Sequence, residues 1–336
     1  MSRSRTLPTV LVSLAGGVGA ARFLAGLVRA VAPDDLVVVG NTGDDDEFHG
    51  MLVCPDLDSV TYTLAGASNR ELGWGLEGET FACLEALERY DDDTWFRLGD
   101  RDFATHMYRA RRLRAGATLS TVTAEIVAAW NLTLRLLPMS DDPVRTRITV
   151  REPGADEASG TTRELRMQEW FVRERAEPPV VSVRFEGASE SRPAPGVLEA
   201  IETADAIVLC PSNPVISIGP ILAVPGIRDA LVARRDRVVG ISPIVGGAPV
   251  RGPADRLMAP LGMEVSCAGI ARAYAPFCST LVIDTVDEGR AVDVEAAGVR
   301  AVVADTMMHT PEIAAALARS ALAAIAGPDL QSCPAR

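Results

Sequence analysis

The amino-acid sequence predicts the α/β class, with an open parallel sheet carrying helices on both faces and a helical and small β insertion. Two observations lead to that class. Short, wholly apolar runs, the pattern of strands buried on both faces, alternate with helical patterns at both ends of the chain. A glycine-rich turn also joins the first such run to the first helical pattern, which makes the sheet Rossmann-like.

Thr9 to Ala15 (TVLVSLA) is the first strand, and ARFLAGLVRAVA after the glycines is the first helix. Leu36 to Val39 (LVVV) closes a βαβ unit. Ala206 to Leu209, Arg237 to Ile241, Leu281 to Ile283 and Val299 to Val303 are the later strands, separated by helical segments such as Gly226 to Arg234 and Pro311 to Ala326. The sheet is thus expected from residues 1–70 and 195–330. Residues 71–194 read as an insertion. It opens with helices around Phe81 to Arg89, Phe103 to Leu113 and Ser120 to Ala129, then turns to β-type alternation at Val144 to Val150 and Val180 to Phe185 around the polar turn EPGADEASG.

A length of 336 residues allows one large domain or two modest ones, and 48% apolar with 23% charged residues is a globular composition. The net charge of −12 argues against nucleic acid or an anionic membrane as partner, so any phosphate site must be local. All 33 basic residues are Arg. Without Lys there is no Schiff base and no Walker A loop. The six Cys form no CxxC pair and no regular framework, which argues against a zinc-thiolate site or a disulfide scaffold. With no signal-peptide pattern and no apolar run long enough for a membrane span, the expected location is the cytoplasm.

Four loops at strand ends carry the candidate chemistry. In the first, Gly16, Gly17 and Gly19 let the backbone approach a phosphate at a helix N-terminus, and Arg22 either adds a charge there or faces solvent. The fingerprint GxGxxG is only half met. The second strand ends in NTGDDDEFHG, Asn41 to Gly50. Four consecutive acids beside a phosphate turn would repel an anion unless a cation such as Mg²⁺ intervened. Asp56 and Asp58 follow in CPDLD, so that Asp44 or Asp45 together with Asp58 could hold one hard metal from two loops. Asp91 to Asp93 lacks a glycine turn or buried strand beside it and reads as a solvated run. The third and fourth loops, from Cys210 and Ser242, offer Ser212, Asn213, Ser217, Gly246, Gly247 and Arg251 to a heterocycle or phosphate. Trp74 and Trp95 are either an aromatic wall for a flat ring or core aromatics. His49, His106 and His309 form no HExxH or HxH pattern, which argues against a zinc hydrolase.

Together LAGGVGAARFLAGL, NTGDD with HG and CPDLD, GDRDxATH, PSNPVISIGPIL and SPIVGGxPVRGPAD resemble the CofD family, FbiA-like in actinobacteria, from about Leu14 to Met258. The resemblance implies coenzyme F420 biosynthesis. A 2-phospho-L-lactate or phosphoenolpyruvate unit would move from a GMP-linked diphosphate donor to the terminal ribityl hydroxyl of the deazaflavin FO, releasing GMP. It further implies Asp44 and Asp58 as Mg²⁺ ligands, with Asp45 as alternative ligand or base. Gly16, Gly17 and Gly19 would face the phosphates, and Asn213, Ser217, Ser242 and Gly246 the guanosine. Trp74 would border the deazaflavin, and Asn41 and Arg251 complete the binding set. A guanylyltransferase that makes the donor is the implied functional link, and a homodimer the expected assembly. The pattern departs at Asp46-Glu47, where an aromatic or apolar residue is usual, and at Leu76-Glu77. The rival resemblance is to YvcK-like nucleotide-sugar-binding regulators, which share the glycine turn and PSN loop; NTGDD, CPDLD and GDRDxATH favour the transferase. A nicotinamide dehydrogenase fails on the missing third glycine and the surplus acids.

Overall fold

The computed structural model describes residues 10–69, 73–90, 93–152 and 160–326. Asp91 and Asp92, most of the EPGADEASG turn, Cys333 and the chain's first nine residues lie outside them. Seven parallel strands form the main sheet: β1 (Leu11–Ala15), β2 (Leu36–Gly40), β3 (Arg135–Pro138), β4 (Ala206–Leu209), β5 (Val238–Ile241), β6 (Thr280–Asp284) and β7 (Arg300–Ala304). In space they run β7-β6-β5-β4-β1-β2-β3. The chain builds outward from β1 to one edge and then from β4 to the other, so the order reverses between β1 and β4. A crevice opens outside the carboxyl ends of the strands at such a reversal.

The apolar runs are uniformly apolar because the two faces feed two cores. Val12, Leu14, Val37 and Val39 enter one, while Leu11, Leu36 and Val38 enter the other. Register follows, with Leu11 opposite Leu36 and Ala206. A one-residue slip would exchange the two sets. The helix Gly17–Leu27 begins directly after β1 and packs along Pro311–Ala326, with Gly26 against Ala314.

The insertion departs from expectation in one respect. Arg135–Pro138 pairs in parallel with β2, with Val37 opposite Arg135, so the main sheet takes its edge strand from within residues 71–194. The rest of that stretch forms helices, Ala82–Leu87, Asp102–Arg114 and Leu119–Ala129, and an antiparallel three-stranded sheet centred on Arg145–Arg151. A third cluster of Phe48, Val53, Leu84, Leu98 and Phe103 binds the hairpin Asp46–Phe48/Met51–Val53 to those helices. Among the described residues no single helix is long and apolar enough to cross a membrane.

Candidate active site

The loops leaving the carboxyl ends of β1, β2, β4 and β5 enclose a cleft of about 640 Å³. At its floor the chain turns from β1 into the first helix. Gly17 has a φ of +77°, a left-handed conformation natural to glycine. A Cβ on Gly16 would lie 2.6 Å from Ser217 Cβ, and one on Gly19 would lie 2.6 Å from the Pro211 carbonyl oxygen. The glycines are therefore set by the close approach of the β1 and β4 loops. Ser212 locks the approach by donating to the Gly16 carbonyl at 2.8 Å.

Asp56, in the helix Pro55–Leu64, accepts from the Gly17 N–H at 2.7 Å and from Asn41 Nδ2 at 2.8 Å. Asn41 also donates to the Ile216 carbonyl at 3.2 Å and accepts from the Gly43 N–H at 2.8 Å. One buried amide thus ties the β2 loop to the β4 loop. Because Asp56 takes the Gly17 N–H, the turn's remaining donors without an intrahelical partner are those of Val18 and Gly19.

The acids are buried. Burial, with Asp56 beside it, pushes the Asp44 carboxyl well above its ordinary range. Burial raises Asp56 to about 6 against the opposing hydrogen bonds from Asn41 and Gly17, and raises Asp45 to about 8 despite the nearby Arg145. Both Asp56 oxygens are engaged, whereas Asp44 Oδ1 and Asp58 Oδ2 are buried without a hydrogen-bond partner. Asp44 and Asp58 both line the cleft. Among the described residues no three His, Cys, Asp or Glu side chains converge on one point. Two buried carboxylate oxygens without a hydrogen-bond partner, both on residues that line the cleft, fit Mg²⁺, which usually takes one or two carboxylates and completes its shell with water and substrate phosphate.

Of the residues singled out in the sequence, Gly16, Gly17, Gly19, Asp44, Asp58, Trp74, Asn213, Ser217, Ser242 and Arg251 border this cleft. Asn41 stands behind it as a strut. Asp45 faces a smaller neighbouring cavity with Arg145 and Arg166. Gly246 donates to Asp287 Oδ2 at 3.0 Å on the hairpin Ile244–Val245/Ala248–Pro249 and does not border the cleft. Asn213 spends its Oδ1 capping the next turn, accepting from the Val215 and Ile216 N–H groups. Ser242 holds its own loop, donating to the Ile244 carbonyl at 2.8 Å.

The chain matches the family model described as 2-phospho-L-lactate transferase CofD over residues 11–322. It belongs to the CofD family. Among curated relatives, phosphoenolpyruvate transferase of Streptomyces griseus is 50% identical over 93% of this chain and 97% of its own length. The protein of the same name from Mycolicibacterium smegmatis is 41% identical over 94% and 97%. Protein BH3568 of Bacillus halodurans, described in one of its solved structures as a member of the UPF0052 family, shares the fold with a TM-score of 0.60 at 17% identity over 94% of this chain and 99% of its own. Family and relatives alike place this chain among the transferases.

For this CofD-family chain the structure adds Arg109, Phe96 and Phe171, which the sequence did not single out, and separates the roles of Asp56 and Asp58. Asp56 and Asp58 sit two apart on one helix and so face different ways. Asp56 turns to the glycine turn, and Asp58 to Arg109, with which it forms a buried ion pair. Arg22 also lines the cleft; burial and the nearby charge of Arg251 lower its pKa. Neither arginine has an ion-pair partner among the described residues. Trp95, Phe96 and Phe171 join Trp74 in lining the cleft; Trp95 also packs edge-on against Phe48, and Phe96 stacks on Phe48 at a centroid distance of 4.0 Å.

Proposed function

We propose that this chain transfers a phosphoenolpyruvate unit from a GMP-linked diphosphate donor to the terminal ribityl hydroxyl of FO, giving dehydro-F420-0 and GMP. The observation that carries the reading is a single cleft lined by two chemically different sets of residues. One set comprises the glycine turn, the carboxylates of Asp44 and Asp58, and the cations Arg22 and Arg251, which form no ion pair among the described residues; this set suits a diphosphate. The other set is aromatic, which suits a flat ring. The relatives' names favour enolpyruvate over lactate as the acid.

In this reading the hydroxyl oxygen bonds to the phosphorus that bears the carboxylic acid, and the bond to the GMP phosphate oxygen breaks. Transfer of this kind depends mainly on positioning and charge stabilisation. The N–H groups of Val18 and Gly19 and the two arginines bind and orient the diphosphate. Asp44 and Asp58 would hold Mg²⁺, which supplies charge neutralisation at the phosphates when bound. The hydroxyl proton leaves with the departing GMP phosphate, since Asp45 faces the smaller neighbouring cavity and not the cleft. The test is product mass spectrometry of FO incubated with the protein, Mg²⁺ and each GMP-linked phospho-acid, while following GMP release. A deazaflavin product of the enolpyruvyl mass supports the proposal. Unmodified FO with every verified donor would sink it.

A further inference from the structure

The helix Asp102–Arg114 belongs to the insertion, yet it sends one polar face into the back of the cleft. Asp102, His106 and Arg109 recur at intervals of four and three, so they share that face. All three are buried, Arg109 to 1% exposure. Its guanidinium makes a short charged hydrogen bond to Asp58 Oδ1, donates to the Leu52 carbonyl at 3.3 Å, and lies 3.1 Å from His106 Nδ1. Behind it His106 Nε2 is 3.3 Å from Asp102 Oδ1, and the Tyr62 hydroxyl bonds the same oxygen at 2.6 Å.

A fully buried guanidinium is costly to desolvate, and a surface ion pair would not justify one. What it accomplishes is geometric. With Oδ1 held by Arg109 and Oδ2 3.8 Å from His106 Nδ1, the Asp58 carboxylate is contacted on both oxygens and kept in one orientation beside the cleft, its Oδ2 buried without a hydrogen bond. We propose that Arg109, braced by His106 and Asp102, is a positioning residue that fixes the Asp58 carboxylate for the transfer. The inference rests on the functional reading above, in which Asp58 serves the reacting phosphates. Arg109 itself does not line the cleft, so it acts through Asp58.

The test is a double-mutant cycle on wild type, Asp58→Asn, Arg109→Met and the combined variant, with kcat and KM measured for FO and the GMP-linked phosphoenolpyruvate donor, and melting followed in parallel. Expected for Arg109→Met is a kcat loss of about 100-fold with KM within about threefold, since a misplaced group costs on the order of 100-fold per ångström. The combined variant should lose no more than Asp58→Asn alone, because the second change has nothing left to misplace. A purely structural role would lower the folded fraction in either background. Losses that multiply, or an Arg109→Met kcat within threefold of wild type, overturn the proposal. Should Arg109→Met melt below the assay temperature, Arg109→Lys takes its place in the cycle. It keeps the charge but loses the planar fork. About tenfold lost from the wild-type background and none from the Asp58→Asn background supports the inference; equal losses in both overturn it. An inactive wild type would instead overturn the functional reading and this inference with it.

Discussion

Gly19→Ala and Gly26→Ala place the same methyl on the same helix, and the structure predicts opposite consequences. A Cβ on Gly19 would sit 2.6 Å from the Pro211 carbonyl oxygen, where ordinary contact begins at 3.4 Å. The obstacle is backbone, so the β1 and β4 loops must part by about 0.8 Å, the difference between those distances. Overpacking of this kind costs about 1–3 kcal/mol, and the better helix propensity of Ala returns about 1 kcal/mol. Unfolding entropy of roughly 2.1 cal/mol/K per residue makes each kcal/mol worth roughly 1.4 °C in a chain of 336 residues. The melting temperature should therefore fall by no more than about 3 °C. The cleft floor, however, moves by most of an ångström, which should lower kcat on the order of 30- to 100-fold. A Cβ on Gly26 would meet the Ala314 carbonyl carbon at 2.3 Å, away from the cleft. That variant should melt lower and keep its kcat per folded molecule. Calorimetry and a GMP-release assay on both proteins separate the cases. A Gly19→Ala kcat within threefold of wild type, or an equal kcat loss in Gly26→Ala, would refute the reasoning.

Asn41→Ala removes the amide that serves Asp56, Ile216 and Gly43, and should cost about 3 kcal/mol in denaturant unfolding; a loss under 1 kcal/mol would show that the loops do not depend on it. Asp45 carries a folded-state pKa of about 8 against roughly 3.9 unfolded, so its proton stabilises the fold fully below about pH 4, and that contribution is lost as pH rises through 8. Metal-free Asp45→Asn should accordingly show a flatter melting curve between pH 5 and pH 9 and melt above wild type at the alkaline end; parallel curves would contradict the burial argument. Arg22→Met should raise the donor KM about tenfold with little change in kcat, as expected for a cation that binds ground and transition states alike; a kcat-only effect would place Arg22 at the reacting phosphorus instead.

The strands were legible because a sheet covered on both faces leaves wholly apolar runs, and the glycine turn because close backbone approach admits no other residue. β3 escaped notice for the converse reason. RLLP is an edge strand with an exposed Arg and a terminal Pro, and edge positions tolerate both. The acids were legible as a cluster but not in their division of labour. Sequence adjacency groups Asp56 with Asp58, whereas helical geometry separates them by about 200°. Arg109 sits among four arginines in DFATHMYRARRLR, and nothing in composition marks the buried one. A polar stripe at Asp102, His106 and Arg109 on one helix face was the available signal.

A chain of net charge −12 that gathers buried carboxylates at its cleft accumulates an electrostatic cost there, visible as the raised pKa values of Asp44, Asp45 and Asp56. The fold relieves part of it internally. Arg109 neutralises Asp58, and hydrogen bonds from Asn41 and Gly17 satisfy Asp56. It leaves Asp44 Oδ1 and Asp58 Oδ2 without a hydrogen-bond partner, and among the described residues Arg22 and Arg251 form no ion pair although they line the same cleft as these acids. The glycine turn and the Ser212 hydrogen bond fix the β1 and β4 loops against each other at the switch point between the two strands. On the proposed function, a cation held by Asp44 and Asp58 would favour binding of the anionic donor, and the donor would favour binding of the cation to the same degree.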